Sequence, residues 1–335
     1  MGIQYLRAIA AVMVLICHFA QRFPSYSFEK LSLSTTNLGS GGVSIFFVIS
    51  GFIMWMTSAS AAAGDFLERR ITRIVPLYWL CTLVMAARLY ETQGVVSVPD
   101  LMKSLLFWAY ALPNGQVLPL VPPGWSLNVE MFFYALFAVA LLVAADYRLR
   151  VLTALLVACT IGGLFVTSAH PPELVLMTRP HLLEFVSGLW IAEVALRRRP
   201  RLSRAACTFL FVGGFAALLI GSGHNSDSWL YWVQLIVPSA SIVSGAVMYE
   251  LQYSIGYWRW LVLLGNASYA IYLTHWFLLR IGTSELLQNP ILKPIVTLSV
   301  CLAAGIATYL LVEKPLLEAI RNRGAPKLNT LAETL

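Results

Sequence analysis

Charged side chains are scarce in this sequence of 335 residues. Asp, Glu, Lys and Arg together make up 12% of it, about half the fraction that is usual for soluble domains, whereas 59% is apolar. This composition excludes a soluble globular protein. Lys and Arg outnumber Asp and Glu by 23 to 16, a net charge of +7. Because these charges lie between apolar runs, we expect no nucleic-acid partner.

Cysteine pairs and metal-binding motifs are also lacking. The five cysteines each lie inside an apolar segment, and the sequence contains neither a Cys-x-x-Cys pair nor a His-Glu-x-x-His motif. We therefore expect the cysteines to be small buried hydrophobic residues, and we expect no metal site. An intramembrane metalloprotease is disfavoured for the same reason.

Long hydrophobic runs, by contrast, recur along the whole chain. They lie at about 3–21, 41–59, 74–90, 125–145, 149–168, 180–196, 205–221, 229–251, 261–281 and 291–312. Because one bilayer span takes about 20 residues, the pattern predicts an all-α polytopic membrane protein with about ten transmembrane helices. Residues 1–320 are expected to form a single transmembrane domain, followed by a short cytoplasmic tail over 321–335.

Basic residues predict the orientation of these helices. If the N-terminus is cytoplasmic, most of the 23 Lys and Arg residues fall on the inner side, and the Arg-rich loop 197–201 is the strongest marker of that side. Cytoplasmic loops of membrane proteins carry an excess of Lys and Arg, so we expect both termini to be cytoplasmic. On the outer side, the partly apolar piece 101–112 is expected to lie along the interface or to re-enter the membrane.

Ionisable residues inside the apolar runs are few. A charge that faces lipid costs several kcal/mol, so each of them is a functional candidate. Arg7 and His18 lie eleven residues apart in the first run. At about 100° per residue they return to within about 20° of the same helix face, about 16 Å apart along the axis. We expect this face to line the interior or a cavity.

Three ionisable residues from different helices are expected at one depth. From a rise of about 1.5 Å per residue, His18, Glu130 and His275 each lie about 8–9 Å below the outer boundary of a core of roughly 30 Å. An imidazole is the usual group to take a proton from an alcohol, and a nearby carboxylate would orient it. His18 and Glu130 are therefore predicted to form a catalytic dyad. Buried polar contacts that join helices remain the alternative for all three residues.

The helix of Glu130 offers a polar face, and a separate pair of arginines lies on the inner side. Ser126, Glu130 and Tyr134 are spaced by four residues, so they share one helix face. Arg70 and Arg73 lie one turn apart, just before Pro76, where a new span is expected to begin. Phosphate would suit the arginine pair, and topological anchoring explains it equally well.

Six short segments carry a further signal through their order. They are Arg7-Ala-Ile-Ala through His18, Gly42-Val43 through Phe52, Arg70-Ile-Thr-Arg73-Ile-Val-Pro76, Trp125-Ser-Leu-Asn-Val-Glu130-Met-Phe-Phe-Tyr134, Ser268-Tyr-Ala-Ile-Tyr-Leu-Thr-His275, and Glu313-Lys-Pro315. Together, over nearly the whole chain, they resemble acyltransferase family 3, the integral-membrane O-acyltransferases of bacterial polysaccharides.

This resemblance implies an activity. Family 3 enzymes transfer an acyl group, commonly acetyl, from cytoplasmic acyl-CoA to a sugar hydroxyl that is presented on the outer side of the bacterial inner membrane. For a chain of this length, the resemblance points to an exopolysaccharide or a lipid-linked oligosaccharide as the acceptor. It implies acyl-CoA, commonly acetyl-CoA, as the co-substrate, and no metal.

The resemblance also implies the residues that carry the chemistry. His18 would be the catalytic base or the residue that handles the acyl group, and Glu130 would be its acidic partner. Arg70 and Arg73 would lie near the CoA phosphates.

Other positions are assigned to the substrate path. Arg7 would be a groove residue, and His275 joins the path without a chemical step. Ser126 and Tyr134 are candidate donors to the oxyanion that forms during transfer. Members of the family often carry an acid where this chain has Ser44, so a charge contact that relatives make there is in doubt here.

Two alternatives stay open at this point. A transporter or flippase could use buried Arg, His and Glu residues as a proton or substrate path. Within the acyltransferase interpretation, the sugar hydroxyl could attack the thioester directly, or an acyl-enzyme intermediate could form first.

Overall fold

The computed structural model describes residues 1–26, 35–112, 115–220, 229–279 and 289–324. Within these ranges the chain is helical, without β-strands and with one isolated bridge between Ala111 and Val117. The predicted all-α class is therefore confirmed. Of the predicted tail over 321–335, residues 325–335 lie outside the described ranges. The boundary expected at residue 320 falls inside the last described helix.

Fourteen α-helices form the described part of the chain. They are α1 Gly2–Arg22, α2 Thr35–Ser58, α3 Ala63–Gln93, α4 Val98–Leu105, α5 Trp125–Leu141, α6 Arg148–Gly162, α7 Pro172–Met177, α8 Leu182–Arg197, α9 Arg204–Ile220, α10 Trp229–Gln252, α11 Arg259–Asn266, α12 Ser268–Leu278, α13 Leu292–Thr308 and α14 Lys314–Gly324. A π-helical turn over Tyr309–Glu313 joins α13 to α14.

Each of the ten predicted apolar runs coincides with a helix or, at 261–281, with the pair α11 and α12. Seven helices in the described ranges are long and apolar enough to cross a membrane, and the pair α11–α12, bent by 70°, makes up to eight. The remaining two runs correspond to α8 and α9, of 16 and 17 residues. The protein is thus a multi-pass membrane protein, whereas the count of ten spans and the cytoplasmic termini stay predictions.

Helix α2 packs directly against α1 and α8 through its small residues. A Cβ atom at Gly42 would lie 2.8 Å from the carbonyl oxygen of Ala10 on α1. A Cβ atom at Gly51 would collide with the carbonyl of Phe185 on α8, and one at Gly188 would collide with that of Val48 on α2. Glycine is therefore required where these backbones touch, as in other closely packed membrane helices.

Helix α3 is longer than the sequence predicted. It runs without a break through Pro76, whereas a new span was expected to begin there. Proline removes one backbone hydrogen bond, but a helix in a membrane protein continues when its neighbours hold it in place. Arg70 and Arg73 consequently lie on the same continuous helix, α3, as the predicted span 74–90.

The segment between α4 and α5 turns back into the protein. Helix α4 is a short helix capped by Ser97, whose side chain accepts from the Asp100 N–H at 3.3 Å. The N–H of Leu120 donates to the Ser104 hydroxyl at 3.0 Å, and Val121 is fully buried. The chain after α4 is thus held among the helices, and α5 begins in the protein interior.

Candidate active site

His18 on α1 and His275 on α12 form a direct pair. His18 Nδ1 lies 2.8 Å from His275 Nε2, and the two rings are nearly parallel, with an interplanar angle of 8°. The sequence placed these residues at one depth, and the structure brings them into contact.

The hydrogen bonds of the pair fix which nitrogen carries a proton. His275 Nδ1 lies 3.0 Å from the carbonyl oxygen of Ile271, which can only accept, so Nδ1 of His275 must donate. Nε2 of a neutral His275 is then an acceptor, and His18 Nδ1 donates to it. His18 Nε2 keeps its lone pair and has no hydrogen-bond partner among the described residues. This is the arrangement that a general base requires.

The surroundings hold the pair in place. The Trp276 ring meets His18 edge-on, with ring centroids 5.4 Å apart. His275 is 1% exposed, and the Cys301 thiol lies 3.9 Å from its backbone carbonyl. The His275 imidazole is therefore enclosed by the protein, and His18 is held by its hydrogen bond to it and by the Trp276 ring.

His18 opens onto a cavity of ≈ 390 Å³, which we name the outer cavity because it lies at the predicted outer ends of α1 and α3. Its polar and charged lining can hydrogen-bond a hydrophilic molecule. The residues that supply this lining besides His18 are Gln21, Arg22, Arg88, Thr92 and Gln93.

Glu130 does not pair with His18, and the predicted His18–Glu130 dyad is wrong in its geometry. Its Oε1 accepts from the Ser50 hydroxyl at 2.8 Å and from the Tyr134 hydroxyl at 2.5 Å. The error comes from the start of α5, which was taken to lie at the membrane boundary. Because α5 begins in the interior, beside Tyr272, the helical rise puts Glu130 about 10 Å nearer the inner side than His18.

Glu130 instead belongs to a second, narrower cavity of ≈ 140 Å³, which we name the inner cavity. It contains the three residues of the predicted polar face of α5 and all three predicted arginines. The polar and charged residues lining it are Arg7, Ser50, Arg70, Arg73, Ser126, Glu130, Tyr134, Ser268, Tyr269 and Tyr272.

Positive charge dominates the inner cavity. Arg7 lies within electrostatic reach of Arg73 and of the carboxylates of Glu130 and Glu313. Arg70 Nε is buried without a hydrogen-bond partner in the described part of the chain, and so is Glu313 Oε2. Three guanidinium groups thus face two carboxylates, and the excess cation suits an anionic ligand such as a phosphate. Glu313 belongs to the sequence segment Glu313-Lys-Pro315, but no role was predicted for it.

Tyr272 stands between the two cavities. Its hydroxyl donates to the Pro123 carbonyl at 2.9 Å and lies 2.8 Å from the Ser126 hydroxyl, at the outer end of the inner cavity. Its ring lies 6.1 Å from the His275 ring. The arginine-rich cavity therefore ends one residue layer from the histidine pair.

Sequence reasoning missed a buried imidazole–carboxylate pair, His181 and Glu184. Glu184 on α8 is fully buried; its Oε1 accepts from the Ser44 hydroxyl at 2.6 Å, and its Oε2 lies 3.2 Å from His181 Nδ1. Relatives often carry an acid at position 44 itself; here position 44 is a serine, and Glu184 on α8 places a carboxylate beside it. The available signal was a Glu three residues after a His at the start of an apolar run.

Comparison with known proteins adds an independent finding. A family model described as an acyltransferase domain matches residues 2–313. This range includes every candidate site residue. No solved structure gives a significant match to the chain.

Three similar proteins illustrate the range of relatives. The exopolysaccharide production protein ExoZ of Rhizobium meliloti (strain 1021) is 36% identical over 299 residues, which cover 85% of this chain and 92% of that protein. The acyltransferase MdmB of Streptomyces mycarofaciens is 28% identical over 83% of this chain and 78% of its own length. The peptidoglycan O-acetyltransferase OatA of Listeria monocytogenes is 24% identical over 94% of this chain but only 55% of its own length.

Proposed function

The chain belongs to the family of this acyltransferase domain, acyltransferase family 3, and from that premise we propose what it transfers and where. It moves an acyl group, commonly acetyl, from cytoplasmic acyl-CoA to a hydroxyl of an exopolysaccharide or lipid-linked oligosaccharide on the outer side of the bacterial inner membrane. The observation that carries this proposal is the arginine-rich cavity that ends at Tyr272, next to a histidine pair that opens onto a separate polar cavity.

The inner cavity supports binding of the donor. Arg70 and Arg73 lie at the inner end of α3 and Arg7 lies deeper, so the cations suit the phosphates of CoA at the cytoplasmic mouth. A cavity of ≈ 140 Å³ is too small for a nucleotide, so the nucleotide would stay at its mouth while the pantetheine arm enters. The thioester would then be delivered toward Ser126 and Tyr272.

The reaction follows from the free nitrogen of His18. A sugar hydroxyl in the outer cavity attacks the thioester carbonyl carbon, and its proton passes to His18 Nε2. The tetrahedral intermediate collapses with cleavage of the C–S bond, and the CoA thiolate takes the proton back from the imidazolium. The same lone pair could instead attack the thioester and form an acyl-imidazole, which a second step would pass to the sugar.

His275 is the positioning residue of this site. It holds His18 in the tautomer with a free Nε2, and it accepts a stronger hydrogen bond from Nδ1 once His18 is charged. Glu130 takes a different role from the one expected. It balances the arginines and fixes Ser50 and Tyr134 at the wall of the donor cavity.

Ser126 and Tyr134 are the predicted hydroxyl donors to the oxyanion of the tetrahedral intermediate. Ser126 lies beside Tyr272, one layer from the histidines, whereas the Tyr134 hydroxyl already donates to Glu130. The Ser126 hydroxyl donates to the Pro123 carbonyl at 3.2 Å, so it would have to turn from that carbonyl to the oxyanion; its position nearer the histidines makes it the first candidate of the two. The transporter alternative is not favoured, because the family match is to acyltransferases.

Mass analysis of surface glycans tests this function. Cells that contain the protein should carry glycan species heavier by one acyl group than cells that lack it, and His18→Ala protein at equal membrane abundance should not restore them. Identical glycan masses in the two strains would contradict the proposed activity.

A further inference from the structure

A third imidazole, that of His181, is fixed in orientation on the other side of α2 from α1. Glu184 is fully buried, and its two oxygens contact the Ser44 hydroxyl and His181 Nδ1. The carboxylate thus holds the Nδ1 proton of His181, as carboxylates do for histidines that bind ligands. His181 Nε2 has no hydrogen-bond partner among the described residues, although the side chain is only 6% exposed.

His181 lies at the floor of a groove on the predicted outer face. One cavity of ≈ 340 Å³ contains His181, and a neighbouring cavity of ≈ 410 Å³ shares Val175, Arg179 and Trp232 with it. The two cavities therefore adjoin along a shared wall and together make up one groove. We name it the aromatic groove, and its defining residues are Trp125, Arg179, His181, Trp229, Tyr231 and Trp232.

Aromatic rings surround the imidazole closely. The Trp232 ring meets His181 edge-on at 4.6 Å between centroids, and Trp125 lies 5.2 Å away on another side. Tyr231 packs against Trp232 at 5.3 Å, and its hydroxyl donates to Ser40 at 2.9 Å. Trp232 and Tyr231 are themselves buried, whereas the Trp229 ring is 47% exposed and offers a flat apolar surface on which the C–H face of a sugar can stack beside these polar groups.

Arg179 adds a charge to the groove. Its side chain is exposed where the two cavities meet, and it forms no ion pair with any residue in the described ranges. An exposed guanidinium group is matched in charge and geometry to a carboxylate or phosphate. The charge therefore favours an acidic glycan over a neutral one.

The aromatic groove is separate from the outer cavity but close to it. None of the residues that line the outer cavity lines the groove. On α2, Gly39 packs against Cys17, the neighbour of His18, whereas the adjacent Ser40 bonds to Tyr231 in the groove. One helix, α2, thus separates the two sites at the same level.

We propose that the aromatic groove binds a non-reacting segment of an acidic oligosaccharide acceptor, with its acidic group at Arg179 and a sugar hydroxyl at His181 Nε2. This inference rests on the proposed function and extends it, because it names the charge of the acceptor and the surface that anchors it. The sugar that is acylated would sit in the outer cavity at His18.

The test uses the full chain in nanodiscs of zwitterionic lipid, with labelled acetyl-CoA as donor. Oligosaccharides prepared from the extracellular polysaccharide of a strain lacking the gene are separated by charge into acidic and neutral pools. Arg179→Gln and Trp229→Ala are compared with wild type. Lys293→Gln is the control, because it removes a predicted outer-side cation that lies over Phe23 and away from the groove.

Arg179→Gln should raise the KM for the acidic pool about tenfold, the effect of losing one charge-assisted contact, with the acetyl-CoA KM unchanged. Trp229→Ala should raise the KM for both pools, and Lys293→Gln should change neither. An unchanged acceptor KM in Arg179→Gln, or an equal rise for both pools, would overturn the proposal. The proposal would also be overturned if the rise in acceptor KM of Arg179→Gln disappeared in nanodiscs of anionic lipid, because lipid headgroups would then be the ligand of the groove.

A binding measurement separates this inference from the proposed function. His18→Ala protein in nanodiscs should retain binding of the acidic pool, and the double variant His18→Ala with Arg179→Gln should bind it about tenfold more weakly than His18→Ala alone. Wild-type protein that binds the pool but transfers no acetyl group would contradict the proposed function alone. Equal binding by the two variants would contradict the groove alone.

Discussion

His18 Nδ1 donates to His275 Nε2 across 2.8 Å, and His275 in turn donates to the Ile271 carbonyl. Both N–H groups of the pair are thus used in these hydrogen bonds, so the imidazole nitrogen left with a free lone pair is Nε2 of His18, whose side chain opens onto the outer cavity. A pair of rings thus performs the orienting function for which a carboxylate was expected. The consequences of this arrangement can be measured.

The hydrogen bond to His275 should matter for turnover and not for donor binding. His275→Ala leaves His18 Nδ1 without an acceptor and frees the ring to adopt the unproductive tautomer, so we expect kcat to fall about 100-fold with the acyl-CoA KM unchanged. His275→Gln, whose amide oxygen can accept from Nδ1, should recover part of the loss. A kcat of His275→Ala within twofold of wild type would rule out the positioning role.

Glu130 should behave as part of the donor cavity. Glu130→Gln keeps an acceptor for Ser50 and Tyr134 but removes a charge that balances the arginines. We expect its kcat to fall less than tenfold, far less than in His275→Ala, because no proton transfer at His18 depends on it. Steady-state kinetics on the two variants make the comparison. A kcat that falls further in Glu130→Gln than in His275→Ala would contradict this assignment and favour a direct role for Glu130 in proton transfer.

The arginines of α3 should recognise the phosphates of CoA. Arg70→Gln and Arg73→Gln should each raise the acetyl-CoA KM about tenfold. Arg69→Gln is the matched control, because Arg69 is exposed and does not line the inner cavity. The effect should vanish when acetyl-pantetheine, which carries no phosphate, replaces acetyl-CoA. An equal effect with both donors would indicate a structural role for the arginines.

The contact between α2 and α8 should be sensitive to a single methyl group. Gly188→Ala would push the Cβ atom into the Val48 carbonyl, which costs about 1–3 kcal/mol and should lower the Tm by roughly 5 °C. Gly213→Ala on α9 adds the same methyl group where no other atom lies within 4 Å, so its Tm should not fall. Thermal unfolding of the purified variants in one detergent makes the comparison; similar Tm values would contradict the close packing.

Helical periodicity predicted faces correctly, because it depends only on the angle per residue. Ser126, Glu130 and Tyr134 line one cavity, as their spacing required. The common depth expected for His18 and His275 agrees with their direct contact, although the depth itself stays a prediction. The prediction failed for Glu130, because depth depends on where a helix begins, and the contacts that place the start of α5 are tertiary.

Contacts between distant segments could not be predicted from the sequence for a related reason. Glu184 and His181 share a hydrogen bond at a helix start, but their significance comes from Ser44 and from the rings of Trp125 and Trp232. These partners lie on other helices, and no spacing along one helix reveals them. The close approach of α2 and α8 depends on Gly51 and Gly188, and no spacing along α2 predicts which helix lies against it.

The most direct test of the central claim is transfer across a sealed bilayer. Proteoliposomes are prepared with the chain in one orientation, labelled acetyl-CoA is supplied on the cytoplasmic face, and the glycan acceptor is supplied on the opposite face. Wild-type protein should label the acceptor, and His18→Gln at equal abundance should transfer at less than about one-thousandth of that rate, because the base at Nε2 is lost. Transfer by His18→Gln at the wild-type rate would contradict the claim that His18 Nε2 takes the proton of the acceptor.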